Sequence, residues 1–202
     1  MWSAQSIRES LSNHVPNTSL FVPAPDRAAV ALALAGEDGN LQLCFIRRVE
    51  KKNDPWSGHM AFPGGRASPA DASAKAVAER EAREEVALDL GSAHLIGTLS
   101  DLPVRLGGLE TSMVLSSFVY HLGAALPPLT PNEEVAEAYW VPLAHLWDPR
   151  NATHLNLTRS GESLIFPAIR LREHLIWGLT LRVLTLFSDV VDRPLPHLEE
   201  GA

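Results

Sequence analysis

Cysteine and long apolar runs are the features that this sequence has least of. Cys44 is the only cysteine among 202 residues, so no intrachain disulfide can form, and such a composition is typical of a reducing compartment. We expect Cys44 to be a small buried residue of a strand. No run approaches the ~20 apolar residues of a membrane span, and the polar start MWSAQSIRESLSNHVPNTS has no apolar signal-peptide core. We therefore predict a cytoplasmic protein that does not span a membrane.

Positive charge is also scarce. The 17 Lys and Arg residues face 24 Asp and Glu residues, which gives a net charge of −7. A nucleic-acid-binding protein usually carries a basic patch or stripe, whereas the longest basic cluster here is short, so we expect no nucleic-acid partner. An anionic small molecule could still bind where local cations or metal ions offset the overall charge.

The length fits one domain with a sizeable core, residues 1–202. The apolar runs Arg27–Ala35 and Leu41–Arg48, joined by Gly-Glu-Asp-Gly-Asn, predict a β-hairpin. Residues 51–68 show neither helical nor strand period and predict a loop. Other segments have a clear period, which predicts strands at 93–99, 112–121 and 135–141 and helices at 3–13, 68–88 and 171–188. Strands interleaved with helices indicate an α/β or α+β sandwich.

Three glutamates crowd one face of the helix predicted at 68–88. At 100° per residue, Glu81, Glu84 and Glu85 fall within about 100° of one another. Small apolar residues four apart line another stripe that can pack on a sheet: Ala74, Ala78, Ala82 and Val86. Like charges at these spacings repel each other, and a hard divalent cation, which prefers carboxylate oxygens, would relieve the repulsion. The simpler interpretation is a solvated helix face.

The residues before the glutamates favour the metal-binding interpretation. Ser68 is expected to be the N-cap of the helix, with Asp71 in its first turn. Gly64 and Gly65 permit a tight turn and a close approach of the backbone to a phosphate or a metal ion. This Gly-Gly loop at a fixed distance, together with Arg80 at the start of the charged motif, is unusual for an ordinary solvated helix.

Two segments carry a resemblance to a known family. Arg80–Leu88, with the sequence Arg-Glu-Ala-Arg-Glu-Glu-Val-Ala-Leu, resembles the second half of the Nudix box. Gly58–Gly65, with the sequence Gly-His-Met-Ala-Phe-Pro-Gly-Gly, resembles the upstream signature of the coenzyme A pyrophosphatase-like Nudix branch. Further segments are similar to the same branch: 132–135, 140–143 and 176–180. The resemblance covers about residues 27–188, which we expect to be the core of a single Nudix domain.

The match has three departures. Ala87 stands where the box usually has glycine, which should weaken the C-cap of the helix. Ala72 stands where the general box has a glutamate, and Asp71 is the nearest carboxylate. Asp54 stands where the branch signature has an arginine, four residues before Gly58. Nearby cations could replace that arginine: Arg47, Arg48, Lys51 and Lys52. The last departure bears on the coenzyme A assignment more than on the hydrolase assignment.

The resemblance implies a fold and a metal site. The fold would be an α/β/α sandwich with a mixed β-sheet. The cofactor would be Mg²⁺ or Mn²⁺, bound by Glu81, Glu84, Glu85 and the carbonyl oxygen of Gly65. Arg80 would pair with one of the glutamates and fix its rotamer; a solvent-exposed helix arginine is the alternative.

The remaining site residues are assigned on the same resemblance. The general base would be a helix glutamate or a loop carboxylate, for which Glu134 is the candidate; a solvated turn is the alternative for Glu133 and Glu134. Substrate would be bound by Arg47, Arg48, Gly64, Gly65 and Phe62. The two arginines could instead be surface residues of an edge strand. An adenine ring could stack on Trp56, Phe62 or Tyr139, each of which could equally be a packing residue. Trp177 is expected in the core or in a dimer contact.

Three functions remain open on the sequence alone. The leading one is hydrolysis of coenzyme A or an acyl derivative to 3′,5′-ADP and the phosphopantetheine product. The second is Nudix hydrolysis of another small nucleotide diphosphate, such as ADP-ribose, a dinucleotide or a nucleotide sugar. The third is a catalytically silent sensing domain, which the loss of a glutamate would favour, whereas all three glutamates are present. The resemblance is compatible with a homodimer in each case.

Overall fold

A mixed β-sheet lies at the centre of the computed structural model, which describes all residues except 22, 23, 25, 53, 107, 108, 160, 161 and 197–202. Its strands are β1 (Arg27–Ala35), β2 (Gln42–Arg48), β3 (Met60–Ala61), β4 (Gly64–Arg66), β5 (His94–Thr98), β6 (Leu102–Leu106), β7 (Leu109–His121) and β8 (Val135–Pro142). The strand order is β3-β2-β1-β7-β5, with β4 on β1, β6 on β7 and β8 on β2. Strand β1 runs parallel to β7 and antiparallel to β2, so the expected mixed sheet is confirmed.

Helices and a smaller sheet pack against the main sheet. The helices are α1 (Ala4–Asn13), α2 (Ala74–Val86), α3 (Leu143–Leu146) and α4 (Gly178–Val190). A 3₁₀ turn at Pro149–Asn151 precedes the smaller antiparallel sheet of β9 (Ala152–Arg159), β10 (Glu162–Leu171) and β11 (His174–Trp177). None of the helices in the described part of the chain has the length and apolar character needed to cross a membrane.

The buried strand β1 separates two layers of the core. Because successive side chains of a strand point to opposite faces, Ala29, Ala31 and Ala33 contact the layer of α2. Leu32 and Leu34 belong instead to the layer that contains α1 and α4. The small alanine side chains let α2 lie close to the sheet. The resulting helix–sheet–helix order agrees with the α/β/α sandwich expected from the sequence.

All five predicted strands are present, as β1, β2, β5, β7 and β8. The β1–β2 hairpin is confirmed, with Leu34 opposite Leu43, and Cys44 is buried on β2 as expected. The segment predicted as a loop at 51–68 also contains the short strands β3 and β4. The sequence pattern missed both of them because strands of two or three residues are too short to show a period.

The helix predicted at 171–188 is wrong in its first part. Helix α4 begins at Gly178, and the preceding residues form the hairpin of β10 and β11. Arg172 turns the chain with a positive φ of 54°, and Leu171 lies opposite His174. A short strand with apolar residues on both faces cannot be distinguished from a buried helix by periodicity alone.

The start of α2 also differs from the prediction. The N-cap is Ser73, whose hydroxyl accepts a hydrogen bond from the Ala76 N–H at 3.1 Å. Ser68 instead donates its backbone N–H to the Asp71 carboxylate at 2.7 Å. Asp71 therefore lies in a turn before the helix, which begins at Ala74, and not in the first helical turn. Its carboxylate also accepts a hydrogen bond from Arg80.

The end of α2 generates a stability prediction. Ala87 has a φ of 59°, and the N–H of Leu88 bonds back to the Ala82 carbonyl at 3.1 Å. A left-handed residue at this position favours glycine. We expect Ala87→Gly to raise the free energy of unfolding by about 0.5–1 kcal/mol, measured by urea denaturation. The control is Ala76→Gly inside the helix, which should lower it by a similar amount. A destabilised Ala87→Gly protein would contradict the capping argument.

Candidate active site

Helix α2 places its carboxylates beside β4. Its apolar face, which includes Val77, Ala78 and Ala82, packs on the alanines of β1. This orientation directs Glu85 inward, where only 2% of the residue is exposed. Glu81 is half-buried on the same side of the helix. The amphipathic pattern of the helix therefore decides which glutamates face the sheet.

The Gly-Gly pair of β4 fits against these carboxylates. The backbone N–H of Gly64 donates to Oε2 of Glu85 at 2.8 Å. A Cβ atom on Gly65 would collide with the Glu81 carboxylate, and one on Gly64 would collide with the Ala29 carbonyl oxygen. Glycine is therefore required at both positions for the helix to approach the strand this closely.

Two carboxylates in this group are poorly compensated. Burial raises the pKa of Glu85 to about 8, against the effect of the Gly64 N–H, and the neighbouring Glu81 raises it further. Burial likewise raises the pKa of Glu81, although Arg80 opposes the shift. These carboxylate oxygens carry excess negative charge, and they lie beside Gly65, where any side chain would fill the space. Such a group of oxygens suits a hard divalent cation.

Arg80 connects the carboxylates of the helix to the turn that precedes it. Its Nε and Nη2 donate to the two oxygens of Asp71, each at 3.0 Å. Its Nη1 donates to Glu81 at 2.9 Å and to Glu84 at 3.0 Å. Glu84 is 55% exposed in its side chain. These contacts fix the side chains of Asp71, Glu81 and Glu84 relative to one another.

A cavity of about 500 Å³ opens beside the carboxylates. Its polar part is lined by Arg48, Asp54, Glu81, Glu85 and Glu134. Its apolar part is lined by Met60, Phe62, Met113, Leu115, Leu179 and Val183. Gly64 and Gly65 line it as well, whereas Glu84 does not. Trp177, expected in the core or in a dimer contact, also lines the cavity, and the packing of α4 brings Leu179 there as well.

The two arginines at the end of β2 point in opposite directions. Arg48 lines the cavity, where its Nη2 donates to Asp54 at 3.1 Å and its Nη1 lies 4.0 Å from Glu85. Arg47 does not line the cavity and pairs with Glu137 of β8 at 2.8 Å. Of the two predicted phosphate-binding arginines, the fold therefore brings only Arg48 to the carboxylates.

The predicted aromatic stackers also separate. Trp56 lines the cavity, is half-buried and lies under the guanidinium of Arg66, 5.9 Å from the ring centroid. Phe62 is buried and packs against Phe45 with a centroid distance of 4.5 Å. Tyr139 lies outside the cavity. A planar ring could therefore reach Trp56 most easily.

The loop carboxylate Glu134 lies at the cavity next to a lysine. Its Oε1 accepts a hydrogen bond from Nζ of Lys51 at 2.9 Å. This bond lowers the pKa of Glu134 below its ordinary value. Glu134 is thus ionised near neutral pH and paired with Lys51.

A second group of potential metal ligands lies outside the cavity. Glu137, Glu173 and His174 have ligand atoms within 4.8 Å of one another. Glu137 is already bound by Arg47 and by the hydroxyl of Tyr139, so its charge is compensated. The sequence did not predict this group, because Glu137 lies on β8, far along the chain from Glu173 and His174 at the β10–β11 turn.

Comparison with known proteins identifies the family. A family model described as NUDIX domain matches residues 25–159. The chain is 33% identical over 166 residues to the human protein named mitochondrial coenzyme A diphosphatase NUDT8, covering 81% of this chain and 68% of that protein. It is 34% identical over 170 residues to an uncharacterized Schizosaccharomyces pombe protein, covering 74% of this chain but only 51% of that longer protein.

A solved structure supports the same fold. The MutT/nudix family protein from Enterococcus faecalis superimposes with a TM-score of 0.55 over 95% of this chain and 76% of that one, at 16% sequence identity. The helix carboxylates, the Gly-Gly strand and the mixed sheet thus define a hydrolase of the Nudix class. The chain belongs to the Nudix family.

The contacts of Asp71 generate a pH prediction. Arg80 holds the pKa of Asp71 at about 2, below the ordinary value of about 3.9 in the unfolded chain. A carboxylate with a depressed folded pKa stabilises the protein above the unfolded pKa, and this stabilisation is lost as the pH falls toward the folded pKa. We expect Asp71→Asn to lower the free energy of unfolding at pH 7 by about 1–2 kcal/mol.

The difference between the two proteins should shrink between pH 4 and pH 2. Urea unfolding at a series of pH values measures it. An equal difference at pH 7 and pH 2.5 would mean that the charge of Asp71 does not contribute to stability.

Proposed function

We propose that this Nudix pyrophosphatase hydrolyses coenzyme A or acyl-coenzyme A to 3′,5′-ADP and the corresponding 4′-phosphopantetheine, with Mg²⁺ or Mn²⁺ as cofactor. The observation that carries the proposal is the single cavity that joins the carboxylates of α2 to an apolar pocket under α4. A substrate with a diphosphate next to an uncharged arm fits such a cavity. The name of the human relative supports this substrate.

The metal ions would be bound by Glu81, Glu84, Glu85 and the carbonyl oxygen of Gly65. When bound, such ions neutralise charge on the diphosphate and lower the pKa of a water molecule. Arg80 would orient two of the carboxylates through the hydrogen bonds that it makes to Glu81 and Glu84. Glu84, which is exposed and does not line the cavity, would contribute its carboxylate from the outer side of the helix.

The other residues would position the diphosphate and accept a proton. Arg48 offers a guanidinium to the phosphate oxygens, and the Gly64–Gly65 backbone allows the diphosphate to come close to the strand. A water molecule attacks one phosphorus, the P–O bond to the other phosphate breaks, and the second phosphate leaves. A carboxylate oxygen of Glu134 is our candidate to accept the proton of the water.

The register of the strands shows on which face of the sheet each part of the cavity lies. Gly65 pairs with Ala29, which faces α2, whereas Arg66 pairs with Ala28 on the opposite face. Ala28 also pairs with Leu115 of β7. The apolar pocket therefore lies on the face of the sheet opposite α2, and Glu81 and Glu85 reach the same cavity beside β4.

The apolar pocket suits the acylated end of a coenzyme A ester. Burying the 3′-phosphate of the nucleotide among apolar side chains would cost several kcal/mol. We therefore place the acyl-pantetheine arm under α4 and the nucleotide near Trp56 and Arg66, at the cavity mouth. The cytoplasmic location and a homodimer remain predictions.

A substrate screen tests the proposed activity. With Mg²⁺ or Mn²⁺, we expect kcat/KM for coenzyme A compounds to exceed that for ADP-ribose, NADH, a nucleotide sugar and a nucleoside triphosphate by about tenfold, roughly 1.4 kcal/mol in transition-state binding. The double variant Glu84→Gln/Glu85→Gln should lose the activity. If another diphosphate leads, the enzyme class stands and the coenzyme A assignment does not. If no compound is hydrolysed above the double variant, the silent sensing domain becomes the leading hypothesis.

A substitution in α4 tests the orientation of the substrate. Leu179→Glu places a carboxylate in the apolar pocket and should lower kcat/KM for hexanoyl-coenzyme A by about tenfold or more, because the acyl chain would contact a charge. Hydrolysis of ADP-ribose should change by less than about threefold. The matched control is Leu186→Glu, a half-buried position of the same helix outside the cavity. Equal losses for both substrates would rule out the acyl arm under α4.

A further inference from the structure

We propose that Asp54 is a positioning residue that tethers Arg48 at a distance from Glu85. In this arrangement the arginine can attract the substrate diphosphate without occupying the carboxylate that binds the divalent cation. The inference rests on the proposed function, in which Glu85 is a metal ligand. It concerns the position at which this chain departs from the branch signature, since an arginine is expected where Asp54 stands.

The contacts of Arg48 show the tether. Its Nη2 donates to Oδ2 of Asp54 at 3.1 Å, whereas its Nη1 lies 4.0 Å from Oε1 of Glu85. Its Nε is buried and has no hydrogen-bond partner within the described residues. Arg48 thus has a direct bond to one carboxylate and a longer approach to the other.

The loop fixes Asp54 itself. Its Oδ1 accepts the backbone N–H of Trp56 at 3.0 Å, which forms an Asx turn. Its own backbone N–H donates to the Lys51 carbonyl at 3.3 Å, and its carbonyl accepts the N–H of Ser57 at 3.1 Å. With these anchors the carboxylate cannot follow Arg48 toward the helix, so it holds the guanidinium in place.

Without the tether, Arg48 has a competing partner. A long flexible arginine side chain that loses Asp54 can move the short distance to Glu85, which is buried beside the like-charged Glu81. Arginine binds carboxylates through two parallel hydrogen bonds, which would engage both oxygens of Glu85. A divalent cation would then have to displace the arginine before it could bind. The tether therefore keeps Glu85 available.

The test separates the tether from the turn. Asp54→Asn keeps an oxygen acceptor for the Trp56 N–H but removes the charge that holds Arg48. We measure the affinity of the substrate-free protein for Mn²⁺ from the electron paramagnetic resonance signal of the free ion. The expected result is a binding constant about fivefold to tenfold weaker than that of the wild type. An unchanged constant overturns the proposal.

A matched control uses the neighbouring arginine. Glu137→Gln releases Arg47, which lies on the same strand but outside the cavity. The affinity for Mn²⁺ should then stay within about twofold of the wild-type value, because Arg47 cannot reach Glu85. A loss equal to that of Asp54→Asn would mean that any freed charge near the strand weakens the site, which contradicts a specific tether.

A double-mutant cycle tests whether Asp54 acts through Arg48. In an Arg48→Met background there is no guanidinium to release, so Asp54→Asn should no longer weaken Mn²⁺ binding. An equal loss in both backgrounds would show that Asp54 acts directly on the cation or through the loop, and the tether would be wrong.

The variant Glu85→Gln separates this inference from the proposed metal site. If Glu85→Gln leaves Mn²⁺ binding unchanged, the proposed site fails and the tether fails with it. If Glu85→Gln weakens binding and Asp54→Asn does not, only the tether is overturned.

Discussion

The close packing of helix α2 on the Gly64–Gly65 strand is the constraint on which the site depends. The buried carboxylate of Glu85 accepts the N–H of Gly64, and the Glu81 carboxylate takes the space that a side chain on Gly65 would need. A buried carboxylate is costly without partners, so this fit is stable only while the helix, the strand and the alanine face of β1 stay in register. Each of the other features of the site is arranged around it.

Charge compensation is the second layer of the arrangement. Arg80 donates hydrogen bonds to Asp71, Glu81 and Glu84. Arg48 lies close to the fourth carboxylate, that of Glu85. Both arginines are themselves bound by an aspartate, Asp71 in one case and Asp54 in the other. The site thus holds both arginines in fixed positions: Arg80 bonds directly to Glu81 and Glu84, whereas Arg48 stays 4.0 Å from Glu85.

The two faces of the sheet give the cavity a charged part and an apolar part. Because side chains alternate along a strand, β1 presents alanines to α2 and larger apolar residues to α4. The charged lining residues include Glu81 and Glu85 of α2. The apolar lining residues, such as Leu115 and Val183, belong to the layer of α4. One twisted sheet therefore supplies both a site for a diphosphate and a pocket for an uncharged arm.

Features that depend on neighbouring residues could be predicted from the sequence. The glutamate face of α2, the β1–β2 hairpin and the need for glycine before the helix follow from local periodicity and backbone freedom, which are encoded within a few residues. The cap of α2 was predicted wrongly: Ser68 was expected there, whereas the hydroxyl of Ser73 accepts the N–H of Ala76 and caps the helix.

Which residues share the cavity depends on the folding of the whole chain and could not be predicted from local patterns. Neighbouring arginines such as Arg47 and Arg48 cannot be told apart from the sequence. In the structure Arg47 pairs with Glu137, whereas Arg48 lines the cavity. Thr180 of α4 donates to the carbonyl of Met60 at 2.8 Å, a contact that brings distant segments together at the pocket. In the sequence, Asp54 is only a departure from the arginine of the branch signature, whereas in the structure it accepts a hydrogen bond from Arg48. Such relations depend on how separate elements pack, and a pattern read along the chain carries no information about distances across it.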